Sequence, residues 1–244
     1  MTPRERIVIA LDVPGEREAL VWASRLTGRV GLFKIGMQLF TAAGPALVSR
    51  IASEFGPVFL DLKLHDIPNT VAGAVRSAAA LGASMLTVHA SGGVPMLRAA
   101  SEAASAAARE TRAAPVRVLA VTVLTSLGPD DLAATGVARG TRAQVLALAE
   151  LAWLSGCDGF VASPHETAAL RERFGRAPLL VIPGVRPATG GAASTAPDDQ
   201  ARTATPREAL DAGADYLVIG RPVTGAPDPD AALEAIVTSL GDGA

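Results

Sequence analysis

A chain of 244 residues, 49% of them hydrophobic and with a formal net charge of -2, can bury one large core and has no basic excess with which to hold nucleic acid. Arg and Glu interrupt the alanine-rich stretches, so no uncharged run reaches the length of a membrane span. The single Cys157 excludes an internal disulfide, and the apolar run after Met-Thr-Pro-Arg-Glu-Arg is too short for a secretory core, so the expected setting is the cytoplasm and the expected partner a small molecule.

Along the chain, short apolar runs rich in β-branched residues alternate with alanine-rich runs of helical length. Strands are expected at 7–11, 31–35, 58–64, 85–89, 116–124, 159–162, 179–182 and 216–219. Helices are expected near 15–27, 41–55, 69–81, 94–111, 141–155, 164–174, 206–212 and 229–240. Ser163-Pro-His-Glu166 and Thr205-Pro-Arg-Glu208 both match a capping box with proline at the first helical position, and Gly82 and Gly213 stand where a helix should stop. Eight strand and helix units predict an α/β protein, a (β/α)8 TIM barrel forming a single domain over 1–244, with a long loop near 187–206. The alternative is an open Rossmann-like sheet, but Asp12 and Val13 follow the first strand where Gly-x-Gly-x-x-Gly would be required.

The third strand is unusual. In Val58-Phe-Leu-Asp-Leu-Lys-Leu-His-Asp66, alternation puts Leu60, Leu62 and Leu64 on one face and Asp61, Lys63 and His65 on the other. Barrel strands are covered on both faces, so ionised groups there need partners or a chemical task. Of the 22 basic residues only Lys34 and Lys63 are lysine, and both lie in apolar strand-like runs. A chain that uses arginine elsewhere keeps the more readily deprotonated cation at two places. That points to a proton donor with a charged partner; the plainer alternative is two lysines whose stems lie along apolar surface.

Barrel active sites form at the C-terminal strand ends, and the polar residues collect there. Asp12 ends the first strand, Lys34 comes late in the second, Asp61, Lys63 and Asp66 follow on the third, and Thr125 closes the fifth. His89 ends the fourth and is most simply a group satisfying nearby backbone. Arg186 follows strand seven, while Gly220 and Arg221 follow strand eight, where barrels often bind phosphate.

The run Asp61-Leu-Lys-Leu-His-Asp-Ile-Pro-Asn-Thr70 resembles the signature of the orotidine 5'-phosphate decarboxylase family. The likeness extends through Ala10-Leu-Asp12, Phe33-Lys-Ile-Gly36, His89-Ala-Ser-Gly-Gly93, Val123-Leu-Thr-Ser126, Pro183-Gly-Val-Arg-Pro187, Asp199-Gln200 and Ile219-Gly-Arg-Pro222. The resemblance implies a homodimeric lyase of UMP biosynthesis that removes carbon dioxide from orotidine 5'-phosphate without metal or cofactor. Lys63 would protonate C6 within a charge network of Lys34, Asp61, Lys63 and an Asp66 from the neighbouring subunit, with Thr70 also crossing the interface. Asp12 and Lys34 would hold the ribose, Thr125 and Ser126 the pyrimidine, and Arg186, Gln200, Gly220 and Arg221 the phosphate. The interval from Arg186 to Gln200 is longer than the family's usual phosphate loop, with 190–195 as extra length. A related decarboxylase that holds an enediolate on Mg²⁺ would want a carboxylate near strand two, where Lys34 stands. A silent nucleotide-binding barrel would be expected to lack one of the charged positions.

Overall fold

A computed structural model describes residues 1–187 and 203–241 of the chain. Eight parallel strands close into a barrel in sequence order: β1 (Ile7–Ala10), β2 (Leu32–Gly36), β3 (Val58–Leu64), β4 (Ala83–His89), β5 (Arg117–Val121), β6 (Gly159–Val161), β7 (Leu179–Ile182) and β8 (Tyr216–Ile219). Closure is made by β1 against β8, with Ile7 opposite Leu217 and Ile9 opposite Ile219. Around the barrel run α1 (Glu16–Leu26), α2 (Met37–Ala43), α3 (Pro45–Glu54), α4 (Pro68–Ala80), α5 (Gly93–Thr111), α6 (Pro129–Ala134), α7 (Thr141–Leu154), α8 (Pro164–Phe174), α9 (Pro206–Asp211), α10 (Arg221–Thr224) and α11 (Pro229–Leu240).

Strand alternation divides the core in two. Val8, Leu32, Phe59, Met85, Leu119 and Val181 make a cluster of their own, the filling of the barrel interior. Their outward neighbours, among them Ile7, Ile9, Phe33, Ile35 and Leu60, pack under the helices. The interior is thus a plug of apolar side chains, which leaves the strand ends as the place for polar chemistry.

Two charge clusters fix parts of the shell to the barrel. Arg171, on α8, donates from Nε to the Gly213 carbonyl (2.7 Å) and from Nη1 to the carbonyls of Pro178 (2.8 Å) and Gly175 (3.0 Å). Its Nη2 pairs with Asp215, whose carboxylate also accepts from the Leu180 amide at 2.8 Å. Elsewhere Arg4, Arg25 and Arg29, from the start of the chain, pair with Asp230 and Glu234 of α11. Both pairings hold the α11 carboxylates below their usual range through the arginine hydrogen bonds.

The eight strands fall where the sequence puts them, with local corrections. The expected helix over 41–55 is two helices, because Gly44 takes φ +74 and Pro45 starts a new helix without an amide donor. The fifth strand stops at Val121 rather than running to 124. Its partner β6 is three residues long, so Thr122 donates its amide to the Val161 carbonyl (3.3 Å) and the chain then leaves the sheet. The Thr205 box forms as expected, with Glu208 N–H to the Thr205 hydroxyl at 3.2 Å and Thr205 N–H to the Glu208 carboxylate at 2.8 Å. At Ser163 it does not form: the Ser163 hydroxyl donates to Glu166 directly, and both side chains are buried. Most of the expected loop over 187–206 lies outside the described residues, but its ends are joined by a parallel bridge between Val185 and Ala204. No helix among the described residues is long and apolar enough to cross a membrane.

Candidate active site

The C-terminal mouth of the barrel holds a cavity of about 360 Å³. Asp12, Lys34, Asp61, Lys63 and Thr125 line it, with Arg186, Gly220 and Arg221 also on its wall. Eight residues singled out from the sequence therefore share one space. Ser126 is exposed and does not line it; Asp66 and Thr70 are exposed outside it; Gln200 lies outside the described residues.

The charges run in a line. Asp12 Oδ1 accepts from Lys34 Nζ at 3.1 Å, Lys34 Nζ stands 3.8 Å from Asp61, and Lys63 Nζ donates to both Asp61 oxygens at 2.8 and 2.9 Å. At an effective dielectric near 20, attraction is about 6 kcal/mol across 2.8 Å and about 4 kcal/mol across 3.8 Å. Asp61 is accordingly held first by Lys63, and Lys34 is shared with Asp12. Lys34 is buried, the Asp61 side chain is 13% exposed and that of Lys63 27% exposed, so these charges are little screened.

The backbone also shapes the site. Lys63 has φ +52, a left-handed conformation that costs a side-chain-bearing residue about 1–2 kcal/mol. The β3–β4 register shows why: Leu60 faces Leu86 and Leu64 faces Val88, so Asp61, Leu62 and Lys63 are set against Thr87 alone. The strand bulges there and re-aims Lys63 into the mouth. Leu60, Leu62 and Leu64 keep to the opposite face, along a separate apolar cavity of about 250 Å³ beside α4. His65, expected on the charged face, instead lies past the bulge, exposed, with its ring 5.5 Å from that of His89. His89 is half-buried and its pKa is lowered, first by burial and then by the nearby His65 and Lys63.

Thr87 was missed in the sequence. Its hydroxyl accepts from the Lys63 amide at 2.8 Å and donates to Asp61 Oδ1 at 3.0 Å, and it is fully buried. The available signal was a hydroxyl inside the apolar run Met85-Leu-Thr-Val88, since a buried polar group in a parallel strand must have partners.

Two glycines keep the mouth open. A Cβ on Gly36 would lie 3.1 Å from Lys34 Nζ, and one on Gly220 would lie 3.4 Å from the Ala10 Cβ and 3.7 Å from Asp12 Oδ2. On the same cavity wall Gly220 leads into α10, whose first residue is Arg221, and Arg186 donates its amide to the Ala204 carbonyl at 2.9 Å. This edge carries two arginines, Arg186 and Arg221, whose chemistry suits a phosphate dianion. Among the described residues no group of three or more His, Cys, Asp or Glu is placed to hold a metal ion.

Comparison with known proteins identifies the family. A family model described as "Orotidine 5'-phosphate decarboxylase / HUMPS family" matches residues 5–236. An orotidine 5'-phosphate decarboxylase of Anaeromyxobacter dehalogenans is 55% identical over 240 residues, covering 98% of this chain and 100% of that protein. One from Moorella thermoacetica is 49% identical, covering 98% of this chain and 94% of that protein. Among solved structures, the orotidine 5'-phosphate decarboxylase of Lactobacillus acidophilus superimposes with a TM-score of 0.83 at 36% identity, covering 96% of this chain and 98% of that chain. With the family model matched over nearly the whole length, and Asp12, Lys34, Asp61 and Lys63 gathered in one barrel mouth, the chain belongs to the orotidine 5'-phosphate decarboxylase / HUMPS family.

Proposed function

We propose that this protein decarboxylates orotidine 5'-phosphate to UMP, the last step of de novo pyrimidine nucleotide synthesis, with Lys63 as the proton donor to C6. The observation that carries the reading is the Lys63 ammonium, turned into the cavity by the β3 bulge and held by both oxygens of Asp61. In the step, the bond from C6 to the carboxylate breaks and its electron pair stays on C6. A proton from Lys63 Nζ then makes the new C–H bond, carbon dioxide leaves, and the Lys63 amine regains a proton from water. The ammonium also stabilises the carbanion as charge develops. Asp61 holds that ammonium and crowds the departing carboxylate.

Asp12 and Lys34, 3.1 Å apart, suit the ribose hydroxyls, and Thr125 with Ser126 the pyrimidine edge. Arg186, Gln200, Gly220 and Arg221 would take the phosphate, where binding energy also serves to close the site over the reacting ring. The step is drawn without metal or cofactor. Where a metal-dependent relative needs a further carboxylate, Lys34 puts an ammonium between Asp12 and Asp61.

The working form would be a homodimer in which Asp66 and Thr70 reach the neighbouring active site. In support, both are exposed on their own chain, Ile67 between them is 67% exposed, and a groove formed with His65, Pro68, Ser91 and Pro95 lies beside them. The cytoplasm is the fitting compartment for a nucleotide-synthesising enzyme whose one cysteine is buried and unpaired.

The direct test is the fall of orotidylate absorbance, with UMP as product, on adding purified protein in the presence of a chelator. UMP binding without turnover would refute the reading. Mixing Asp66→Ala with Lys63→Ala chains should restore activity, since one of the two sites in each heterodimer is then intact. Confirmed heterodimers that stay inactive would place Asp66 in its own subunit's chemistry.

A further inference from the structure

Between β3 and β4, three residues of one strand are matched against one of the other, and a sheet cannot satisfy such a stretch by its ladder alone. The Lys63 amide therefore has no strand carbonyl opposite it, and a buried amide without a partner is costly. Thr87 supplies the partner with its side chain. The same oxygen that accepts from Lys63 N–H (2.8 Å) donates to Asp61 Oδ1 (3.0 Å), the oxygen that receives Lys63 Nζ at 2.8 Å.

One hydroxyl thus closes a ring: Lys63 amide, Thr87 oxygen, Asp61 carboxylate, Lys63 ammonium. The ring fixes Lys63 at both ends, its strained backbone and its charged tip. It also sets the Thr87 proton, because an oxygen that accepts from an amide and faces a carboxylate has one direction left in which to donate. Thr87 does not itself line the site cavity; it borders the apolar cavity on the far side of β3, so it acts from behind.

We infer that Thr87 is a positioning residue that holds the Lys63 backbone in its left-handed turn and the Asp61 carboxylate in register with the Lys63 ammonium. The inference rests on Lys63 being the proton donor. A substrate-binding role would show in KM; a positioning role shows in kcat, because a misaimed donor spoils the transition state while the nucleotide still binds.

The experiment compares Thr87→Ser with Thr87→Ala. Both remove the methyl group, so the hydroxyl and the small space it fills are all that separates them, and neither adds bulk. The serine variant should keep kcat within about threefold of the parent, and the alanine variant should lose at least about thirtyfold in kcat. KM for orotidylate and Kd for UMP should stay within about threefold in both. Thr87→Val, of similar shape but without the hydroxyl, should follow alanine. Equal kcat values for the serine and alanine variants would overturn the inference, and so would an alanine variant that loses UMP affinity in step with turnover, which is general structural damage. Lys63→Ala measured alongside separates the two claims: if it retains activity, the proton-donor reading and the inference fall together. If Lys63→Ala is inactive while Thr87→Ala matches Thr87→Ser, the inference alone falls.

Discussion

Lys63→Arg is the sharpest perturbation available, because the chain itself shows that arginine serves wherever only a positive charge is needed. The substitution keeps the charge and the salt-bridge partner and changes acidity and shape. An ordinary lysine ammonium is more acidic than a guanidinium by at least about 2 pKa units, equivalent to about 3 kcal/mol or 10²-fold in a full proton transfer. Geometry adds to this. Lys63 Nζ sits within 3 Å of both Asp61 oxygens (2.8 and 2.9 Å), and Asp61 is fixed in turn by Thr87. The longer, planar guanidinium would lie as a fork across that carboxylate and be displaced from the ring carbon by about 1 Å, worth another 10²-fold. The expected loss in kcat is about 10⁴-fold, close to that of Lys63→Ala, with UMP affinity little changed. Single-turnover loss of orotidylate absorbance is the assay. Turnover within about tenfold of the parent would mean that charge alone suffices, and the proton-donor account would be wrong.

Gly36→Ala brings a Cβ to 3.1 Å from Lys34 Nζ, the movable end of a side chain, so melting should shift little while orotidylate KM rises about tenfold through loss of the Asp12–Lys34 pairing; an unchanged KM would contradict it. Arg171→Met leaves the Asp215 carboxylate (17% exposed) without its cation and should cost about 3 kcal/mol, or about 6–12 °C in Tm, with kcat below the transition unaltered. Cys157, whose thiol burial pushes up to about 12, should resist thiol reagents at pH 8 in the folded protein and react on addition of denaturant; fast native labelling would place it at the surface. His89, with its pKa lowered, binds its proton less readily folded than unfolded. Its contribution to stability is present above the ordinary value of about 6.5 and is lost as pH falls through the lowered one, so His89→Gln should flatten the decline of Tm below pH 6.5. Facing groups His65, Lys63 and Asp61 remain in that variant, and an unchanged slope would assign the decline to them.

Periodicity carried the barrel because each strand is an apolar run and each helix an alanine-rich one, and local chemistry alone decides those. Lys34 and Lys63 were legible for a different reason: an ionisable residue inside a strand pattern contradicts its surroundings and so advertises a task. What could not be read was anything that depends on register. The bulge at Asp61–Lys63 arises from β3 lying against β4, twenty-odd residues onward in the chain, and no local pattern in Val58–Leu64 announces a left-handed lysine. Thr87 was hidden by the same cause, since its partners are chosen by that misalignment. The break at Gly44-Pro45 was visible in the letters and was overridden by helical spacing on either side. The early end of β5 depends on the brevity of β6, again a matter of neighbours.

The arginines near the start of the chain that grip Asp230 and Glu234 have a consequence for biosynthesis. β1 is made well before its partner β8, and the helix that fastens this seam follows β8. Until β8 and α11 leave the ribosome, the nascent sheet carries two unpaired margins able to adhere to other chains. Agents that shield nascent chains should therefore matter most for this protein until α11 has emerged, and weakening the seam should lower soluble yield well before it touches the enzyme's rate.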